Sequence, residues 1–303
     1  MKMEYHNPVL LKESVDALDI KPNGIYVDVT FGGGGHSREI LSRLGENGKL
    51  FAFDQDPDAR RNLIDDNRFV LIEENFRFIK RFLKFYRIEK VDGILADLGV
   101  SSHQFDEAER GFSTRFDGDL DMRMNQKSQK SAQDILYTYS EEKLADIFFQ
   151  YGELRNSRNL AKAIGEARKN EKIETSFQLK EVLQRFLPKA KEHKILAQIY
   201  QAIRIEVNEE LDVLKEFLEQ TPELLKKDGR LSVISYHSLE DRLVKRYINI
   251  GMFSGEPEKD VFGNSSKPLQ KVGKLIIPNA KEIKLNNRAR SAKLRIATLS
   301  KDA

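Results

Sequence analysis

The sequence predicts an α/β fold in which a mostly parallel sheet is interrupted by a helical insert. In the first hundred residues, four short apolar segments flanked by turn residues alternate with helical patterns. Strand-like patterns are missing between about residues 105 and 200, and they return in the last third of the chain. Alternating strands and helices indicate a parallel sheet with helices on both faces.

The four early segments read GIYVDVTF, GKLFAFD, RFVLIEENF and VDGILADLGV, and each is predicted to form one strand. After the first strand, SREILSRLG places Ile40, Leu41 and Leu44 on one side of a helix that is predicted to end in a glycine cap at Gly45. In this way the first strand, a glycine-rich turn and a helix follow one another directly.

A second helix is predicted after the third strand. The segment FRFIKRFLKFYRI spaces Phe78, Phe82 and Phe85 along one helical face, which favours packing against the core. Its lysines and arginines are then expected to be solvated.

The predicted insert contains SAQDILYTYSEEKLADIFFQYG, SRNLAKAIGEARKN and TSFQLKEVLQRFLP, which all have helical patterns. Ser140 and Thr175 are expected to be N-caps, and Thr175 with Gln178 fits the capping-box spacing. The later segments GRLSVISYHS, GKLIIP and AKLRIATLS are expected to complete the sheet. The predicted domains are therefore residues 1–105 with 206–303, and an insert over residues 106–205.

Composition limits the classes of function. The 303 residues are 40% hydrophobic and 33% charged, which is typical of a globular protein with a substantial core. The absence of cysteine excludes disulfides, thiolate zinc sites and a cysteine nucleophile, and it favours a reducing compartment. Neither a signal peptide nor a membrane span is predicted, so a cytoplasmic location is expected.

Positive charge is concentrated near the end of the chain. Residues 265–303 carry ten basic and two acidic residues, whereas the net charge of the whole chain is only +3. This distribution fits either a polyanionic partner or a solvated tail.

The glycine-rich turn FGGGGHSREI does not fit the two commonest phosphate-binding patterns. A P-loop requires a lysine directly after its last glycine, but Gly35 is followed by His36 and Ser37. A dinucleotide fingerprint requires a third glycine, and Ser37 or Arg38 occupies that place. The turn remains suited to a ligand that lies against bare backbone at a helix N-terminus.

Two residues at later strand ends favour an adenosine ligand without a pyrophosphate. Asp54 follows the second strand, where an acidic side chain can accept hydrogen bonds from both ribose hydroxyls. Phe76 follows the third strand and either lies against an adenine or packs in the core. In a Rossmann-like sheet, this combination points to S-adenosylmethionine.

Six ordered blocks carry a more specific resemblance. They are FGGGGHSREIL, DGILADLGVSSHQFDEAERGFS, DGDLDMRM, YQAIRIEVNEEL, ISYHSLEDRLVKR and NNRARSAKLRIA. Together they resemble the bacterial 16S ribosomal RNA (cytosine-N4) methyltransferases, which modify a cytidine in the decoding centre of the small subunit. The resemblance spans nearly the whole chain. It implies a Rossmann-like, seven-stranded, mostly parallel S-adenosylmethionine-dependent methyltransferase sheet, with an RNA-recognising helical insert after strand four.

The family's cofactor contacts can be carried over to matching positions of this sequence. They fall on seven residues, namely Gly34, Gly35, His36, Asp54, Phe76, Asp97 and Gln104. Two departures from the family pattern are visible. KILAQIY stands where many members have a stretch that contains threonine or arginine, and Gly33 stands where an arginine is common.

The residues can be compared with the implied chemistry. Methylation at C5 of a pyrimidine normally requires a cysteine nucleophile, whereas an exocyclic amine can attack the methyl group in line without a covalent adduct. Asp97 is the predicted catalytic residue, because an acceptor must hold the amine as the methyl group arrives. The sequence leaves open whether Asp97 contacts the cofactor, the target N4 or both, or only caps a turn.

RNA contacts are expected at the end of the chain and in the insert. The candidates are His237, Arg288, Arg290 and Lys293, with Arg155 and Arg158 in the insert. His237 fits either an RNA-facing position or a hydrogen-bonded structural role. The expected partner is 16S rRNA or the assembled small subunit, with no membrane or metal, and the sequence leaves open whether the chain forms a homodimer.

Two other classes of protein compete with this interpretation. A nicotinamide-dependent oxidoreductase uses the same kind of sheet, although the missing third glycine argues against it. A non-catalytic RNA-binding factor with a vestigial pocket is the second alternative, and the complete set of seven matching positions argues against it.

Overall fold

Seven strands form one sheet, and each overlaps one of the seven apolar segments, although β5 and β6 begin before their segments. The computed structural model describes residues 8–257 and 266–300. The strands are β1 (Ile25–Asp28), β2 (Lys49–Phe53), β3 (Phe69–Ile72), β4 (Val91–Asp97), β5 (Leu225–Ser235), β6 (Leu269–Ile276) and β7 (Lys293–Leu299). Their order is β3-β2-β1-β4-β5-β7-β6. The pairs among β1 to β5 are parallel, and β7 is antiparallel to both neighbours. The predicted seven-stranded, mostly parallel sheet is confirmed.

Among the described residues, one α-helix precedes β1 and the others fall between the strands. They are α1 (Leu11–Asp16), α2 (Gly35–Arg43), α3 (Ile79–Phe85), α4 (Ser102–Asp106), α5 (Ala132–Thr138), α6 (Glu141–Gln150), α7 (Ser157–Ala167), α8 (Ser176–Leu183), α9 (Glu192–Asn208), α10 (Glu210–Leu224), α11 (Ser238–Ile250) and α12 (Ala280–Leu285). None of them has the length and apolar character that crossing a membrane requires.

The chain divides into two compact units. The first comprises Met1–Gly99 and Leu211–Ala303 and contains the sheet, and the second is Val100–Glu210. The predicted insert covers residues 106–205, so the second unit extends a few residues beyond it at both ends.

In the first unit, the sheet is covered on both faces. Alternate residues of β1 point to opposite sides, so that Tyr26 joins a core formed with α1 and α2. Val27 joins the other core, to which α3, α10 and α11 contribute. Helices on both faces leave the carboxyl edge of the parallel strands as the accessible end of the sheet.

Two local predictions in this unit were wrong. Helix α2 ends at Arg43 because Leu44 turns to an extended conformation (φ −80°, ψ 142°), so Gly45 does not cap it. In α3, the fully buried residues are Ile79 and Leu83, whereas Phe78 is 40% and Phe85 is 76% exposed. Only Phe82 of the predicted aromatic face is partly buried against the core.

The second unit contains helices α4 to α9, with a long non-helical segment between Arg110 and Ala132, and its only strand-like feature is an isolated bridge between Asp119 and Thr175. Its core includes fully buried Phe148 and Ile203. Both predicted caps are present. The Ser140 hydroxyl accepts from the N–H of Lys143 at the start of α6. Thr175 and Gln178 form a reciprocal capping box on α8.

Candidate functional site

Three aspartates lie where three neighbouring strands of the first unit end. Asp28 is the last residue of β1, Asp54 follows β2, and Asp97 is the last residue of β4. Strands β2 and β4 both pair with β1 in parallel, so the three carboxyl ends meet at one edge of the sheet. Open α/β sheets bind their ligands at this edge.

The glycine loop connects β1 to α2 above the same edge. Gly34, the residue before the helix, has a φ of +74°, which favours glycine. At Gly35, a Cβ atom would lie 2.2 Å from Cγ of Pro8, so packing against Pro8 accounts for that glycine. Gly34 is buried and Gly35 is partly buried, so the contact of these two glycines with the cofactor stays a prediction.

Asp54 links this loop to the end of β2. Its Oδ2 accepts from the N–H of Gly32 at 2.7 Å, and its Oδ1 accepts from the N–H of Asp56 at 2.9 Å. A carboxylate has about four acceptor positions, so each oxygen can accept one further bond. Burial raises the pKa of Asp54 to about 6, although the two N–H donors lower it. Two acceptors on one carboxylate can receive two ribose hydroxyls.

The Phe76 side chain lies after the neighbouring strand β3. Its ring packs edge-on against Phe217, with 5.3 Å between ring centroids, and it is only partly buried. Asn75, directly before it, donates to Oε1 of Gln55 at 2.9 Å, which links the ends of β2 and β3. The proposed contact of Phe76 with adenine stays a prediction.

Asp97 is fixed by two hydroxyl groups. The Tyr236 hydroxyl donates to Oδ1 of Asp97 at 2.7 Å, and the backbone N–H of Asp97 donates to Oγ1 of Thr30 at 2.6 Å. Burial raises the pKa of Asp97 to about 6, while His36 and the Tyr236 hydrogen bond lower it. The environment of Asp97 therefore favours the protonated form more than the environment of an ordinary aspartate does.

His36 lies beside the second oxygen of Asp97. Its Nδ1 is 3.8 Å from Oδ2 of Asp97, and its Nε2 is 3.2 Å from the carbonyl oxygen of Val9. A carbonyl oxygen only accepts, so Nε2 carries the hydrogen, and Nδ1 of the neutral ring is an acceptor. Two acceptors that converge in this way can hold the N–H groups of an amine between them.

The sequence analysis did not identify several of these residues. Asp28 is fully buried, its Oδ2 accepts from the Ser37 hydroxyl at 2.7 Å, and burial raises its pKa. Tyr236 and Thr30 were also missed. Tyr236 lies near the end of the predicted strand segment GRLSVISYHS, which was an available signal, whereas Asp28 lies inside the segment GIYVDVTF.

His237 caps helix α11. Its Nδ1 accepts from the N–H of Glu240 at 3.4 Å, and its Nε2 lies 3.1 Å from Oε1 of Glu240 without hydrogen-bond geometry. The side chain is only 10% exposed. This arrangement corresponds to the structural alternative, and contact with RNA stays a prediction.

The three basic candidates lie around the start of β7. Arg290 is exposed on a short 3₁₀ helix, and Arg288 is half-buried on the same turn. Lys293 donates to Oδ2 of Asp241 at 3.0 Å, and Asp241 also accepts from Arg295. Asp241 is therefore shared by Lys293 and Arg295, and the three side chains together keep a net positive charge. Ser265 and residues 301–303 of the basic segment lie outside the described residues.

Gln104 belongs to the second unit. It occupies the third position of α4, where its side chain accepts from the N–H of Ser101 at 3.0 Å and completes a capping box. Its predicted contact with the cofactor stays a prediction. Elsewhere in this unit, Arg123 forms an ion pair with Asp121 at 2.7 Å.

The fold and the site together define a class of protein. The strand order, with one antiparallel strand before the edge, is that of the Rossmann-like S-adenosylmethionine-dependent methyltransferases. The donor and acceptor groups fit this cofactor, since Asp54 offers two acceptors for a ribose, and Asp97 and His36 offer acceptors for an ammonium group. The glycine loop offers no lysine for a pyrophosphate.

Comparisons with known proteins give the family. The model described as the MraW methylase family matches residues 3–300. A relative from Christiangramia forsetii, named Ribosomal RNA small subunit methyltransferase H, is 68% identical over 295 residues, which cover 97% of this chain and 98% of the relative. A protein of the same name from Bacteroides fragilis is 57% identical over 294 residues, which cover 97% of each chain.

A solved structure of an rRNA methylase from Streptococcus thermophilus is 13% identical, with a TM-score of 0.41, and the match covers 95% of this chain and 94% of that one. The fold assignment rests on the strand order and not on this similarity. The chain belongs to the MraW methylase family. It is a methyltransferase, and its cofactor is S-adenosylmethionine.

Proposed function

We propose that this chain methylates the exocyclic N4 of a cytidine in the decoding region of 16S rRNA. The transfer is direct and in line, without a covalent adduct between enzyme and base. The single observation that carries this proposal is Asp97, an oriented acceptor at the carboxyl end of β4 in a chain without cysteine. The curated relatives named Ribosomal RNA small subunit methyltransferase H support the choice of RNA.

The chemistry follows from the target atom. The lone pair of the cytosine N4 is delocalised into the ring, so the free amine is a poor nucleophile. Bound S-adenosylmethionine supplies an electrophilic methyl group. An acceptor that holds an N–H of the amine favours localisation of the lone pair on N4 as the new bond forms. Oδ2 of Asp97 is the acceptor that we assign to this role, because the Tyr236 hydroxyl already donates to Oδ1 and leaves it with less acceptor capacity.

The same side chain can receive the proton that N4 releases. A general base works best when its pKa is near the working pH. Burial raises the pKa of Asp97 to about 6, which brings it within reach of neutral pH. Removal of the proton by Asp97 leaves a neutral N4-methylcytidine and a protonated carboxyl group.

Cofactor binding is assigned to the groups at the strand ends. Asp54 would accept the ribose hydroxyls, Phe76 would lie against the adenine, and the turn at Gly34 and Gly35 with His36 would lie against the methionine end. Gln104 is kept as a cofactor contact from the family pattern. These assignments rest on the chemistry of each group and on its matching position in the sequence.

We also propose that the helical unit recognises RNA. Its surface exposes four large aromatic side chains suited to stacking on bases, namely Phe116, Tyr137, Phe149 and Phe177. Arg155 and Arg158 are exposed on the same unit and could contact phosphates. In the sheet unit, His237, Arg288, Arg290 and Lys293 remain the proposed RNA-binding residues, of which Arg290 is exposed. The substrate would be 16S rRNA in the cytoplasm.

A methyl-transfer assay tests the proposal. Small subunits and naked 16S rRNA that lack the modification are incubated with the protein and labelled cofactor, and the nucleosides are then identified by mass spectrometry. We expect labelled N4-methylcytidine with the wild type and none with Asp97→Asn. Label at C5 or on another base would refute the N4 assignment. RNA binding without any transfer would instead favour a non-catalytic RNA-binding factor, and comparison of the two substrates identifies the preferred one.

A further inference from the structure

We propose that Tyr236 is a positioning residue that holds Asp97 in its working orientation. Its hydroxyl donates to Oδ1 of Asp97, so rotation of the carboxylate would break this bond, and Oδ2 lies 3.8 Å from Nδ1 of His36. Tyr236 itself would contact neither the cofactor nor the base. The link to catalysis rests on the proposed function, whereas the effect on Asp97 does not.

Tyr236 is well anchored for this role. It follows directly after β5, and its backbone N–H donates to Oε2 of Glu240 at 2.8 Å. Its ring packs against a cluster that includes Leu10, Ile234 and Ala289. Each of these three residues is at most 1% exposed. A ring held on one side by a buried cluster and at its backbone by Glu240 fixes the direction of the hydroxyl.

The Tyr236 hydroxyl can hold Asp97 only as long as it keeps its hydrogen and acts as a donor. A phenol has one hydrogen, and here it goes to Oδ1 of Asp97. Burial and the neighbouring negative charge of Asp97 raise the pKa of Tyr236 well above 10, so the phenol keeps its hydrogen throughout the physiological range. Tyr236 is therefore a permanent donor that stabilises the ionised form of Asp97.

The other charged groups around Asp97 do not replace this contact. His36 on α2 favours the ionised carboxylate only when its ring is protonated, and its Nδ1 is 3.8 Å from Oδ2, beyond hydrogen-bond distance. Asp28 on β1 and Glu240 on α11 both disfavour a negative charge on Asp97. The hydrogen bond from Tyr236 is thus the direct side-chain interaction that offsets two neighbouring acids and burial.

The first test is independent of RNA and of enzymatic activity. Aspartate carboxyl carbons are labelled with ¹³C, and the resonance of Asp97 is identified by its loss in Asp97→Asn. Hydrogen bonds to charged groups contribute about 1.5–3 kcal/mol, and one pKa unit corresponds to 1.36 kcal/mol. In Tyr236→Phe, which keeps the ring, we therefore expect the proton affinity of Asp97 to rise about 10- to 100-fold. An unchanged Asp97 titration would overturn the proposal.

A matched control removes a different hydroxyl from the same unit. Tyr247 is buried on α11, where its ring stacks on Phe253 with 5.0 Å between centroids. Tyr247→Phe should leave the Asp97 titration unchanged. If both variants shifted it equally, the effect would be a general response of the unit and the proposal would fail.

The second test distinguishes whether Oδ2 of Asp97 holds the ammonium group of the cofactor or the N4 amine of the target. The dissociation constant of S-adenosylhomocysteine and the single-turnover rate of methyl transfer are measured in Tyr236→Phe across pH. Weaker binding of S-adenosylhomocysteine identifies the ammonium group of the cofactor, and a slower transfer at unchanged affinity identifies the N4 amine of the target. In either case the acidic limb of the profile should move to higher pH. No change in either quantity would overturn the link to catalysis.

A double-mutant cycle separates positioning from a merely structural role. If Tyr236 acts through Asp97, adding Tyr236→Phe to Asp97→Asn should have little further effect on the binding of S-adenosylhomocysteine. Additive losses would mean that Tyr236 acts by another route. If the wild type transferred no methyl group to the small subunit, the proposed function would fail, but the Asp97 titration would still report on Tyr236.

Discussion

Replacing Asp97 with asparagine should make the free protein more stable and the enzyme inactive. Asparagine keeps the shape of the side chain and an oxygen that can accept from the Tyr236 hydroxyl. Its NH₂ group would replace Oδ2 and face Nδ1 of His36, which is an acceptor in the neutral ring. The substitution therefore removes a buried negative charge and leaves the hydrogen bonds of the site largely in place.

The size of the expected difference in folding stability follows from the raised pKa of Asp97. In the folded protein, burial raises the pKa of Asp97 to about 6, from an ordinary value of 3.8. A raised acid pKa means that the folded state binds the proton more tightly, so folding stability falls as pH rises from about 4 to 6 and then stays reduced. At 1.36 kcal/mol per pKa unit, the cost above pH 6 is at most about 3 kcal/mol. The carboxylate is 22% exposed, so we expect about 1–3 kcal/mol.

Urea unfolding of the free protein at pH 7.5 and pH 4 measures this cost. Asp97→Asn should be more stable than the wild type at pH 7.5 and about equal to it at pH 4. Asp92→Asn, on the same strand, is the control, and it should be less stable than the wild type at pH 7.5. Burial alone would raise the pKa of Asp92, but hydrogen bonds from Lys226 and from the N–H of Ile25 lower it. Loss of stability in Asp97→Asn at pH 7.5 would refute the reasoning.

Three further predictions address cofactor, RNA and folding. Asp54→Ala should weaken S-adenosylhomocysteine binding about 100-fold by calorimetry, because two charge-assisted hydrogen bonds are lost. Asn62→Ala removes a different contact to the same loop, the hydrogen bond to the carbonyl oxygen of Gly32, and should weaken S-adenosylhomocysteine binding only slightly. An equal loss of affinity in the two variants would contradict the assignment of Asp54 to the ribose. Arg290→Ala should lower the slope of log K for RNA binding against log salt concentration by about one, as expected for the loss of one phosphate contact. Lys84→Ala, at another exposed position, should leave this slope unchanged. Thr175→Ala should destabilise the helical unit by about 1 kcal/mol in chemical unfolding, and no measurable loss would contradict the cap.

Much of the sheet could be predicted because each strand carries its own signal. All seven apolar segments form strands, and their periodicity depends only on residues close in sequence. The order of the strands has no such local signal, and the resemblance to a family supplied the architecture. The caps at Ser140 and Thr175 were also predictable, since a cap and its partner lie three residues apart.

The error in α3 shows where local periodicity is ambiguous. Phe78 and Phe82 are spaced like one buried helical face, but so are Ile79 and Leu83 one residue later. Both pairs fit the same period, and only the position of the sheet decides which pair is buried. The structure buries Ile79 and Leu83 and leaves Phe78 at the surface.

The partner of Asp97 could not be predicted for a related reason. Tyr236 is 139 residues away along the chain, and the contact exists because β5 pairs in parallel with β4. A sequence pattern indicates that each residue ends a strand, but not that the two strands are neighbours. The same limit applies to Asp54 and the N–H of Gly32, which meet only because β1 and β2 are adjacent.

The carboxyl edge of this sheet carries three acids whose ionised forms lower the folding stability of the free protein. Burial raises the pKa values of Asp28, Asp54 and Asp97, and few cations lie near them. Each acid is held by donors without a full charge, such as the Ser37 hydroxyl and the N–H of Gly32. S-adenosylmethionine carries positive charge on its sulfonium and ammonium groups. A ligand of this charge relieves the repulsion among the three acids, so the arrangement that destabilises the free protein favours binding of the methyl donor.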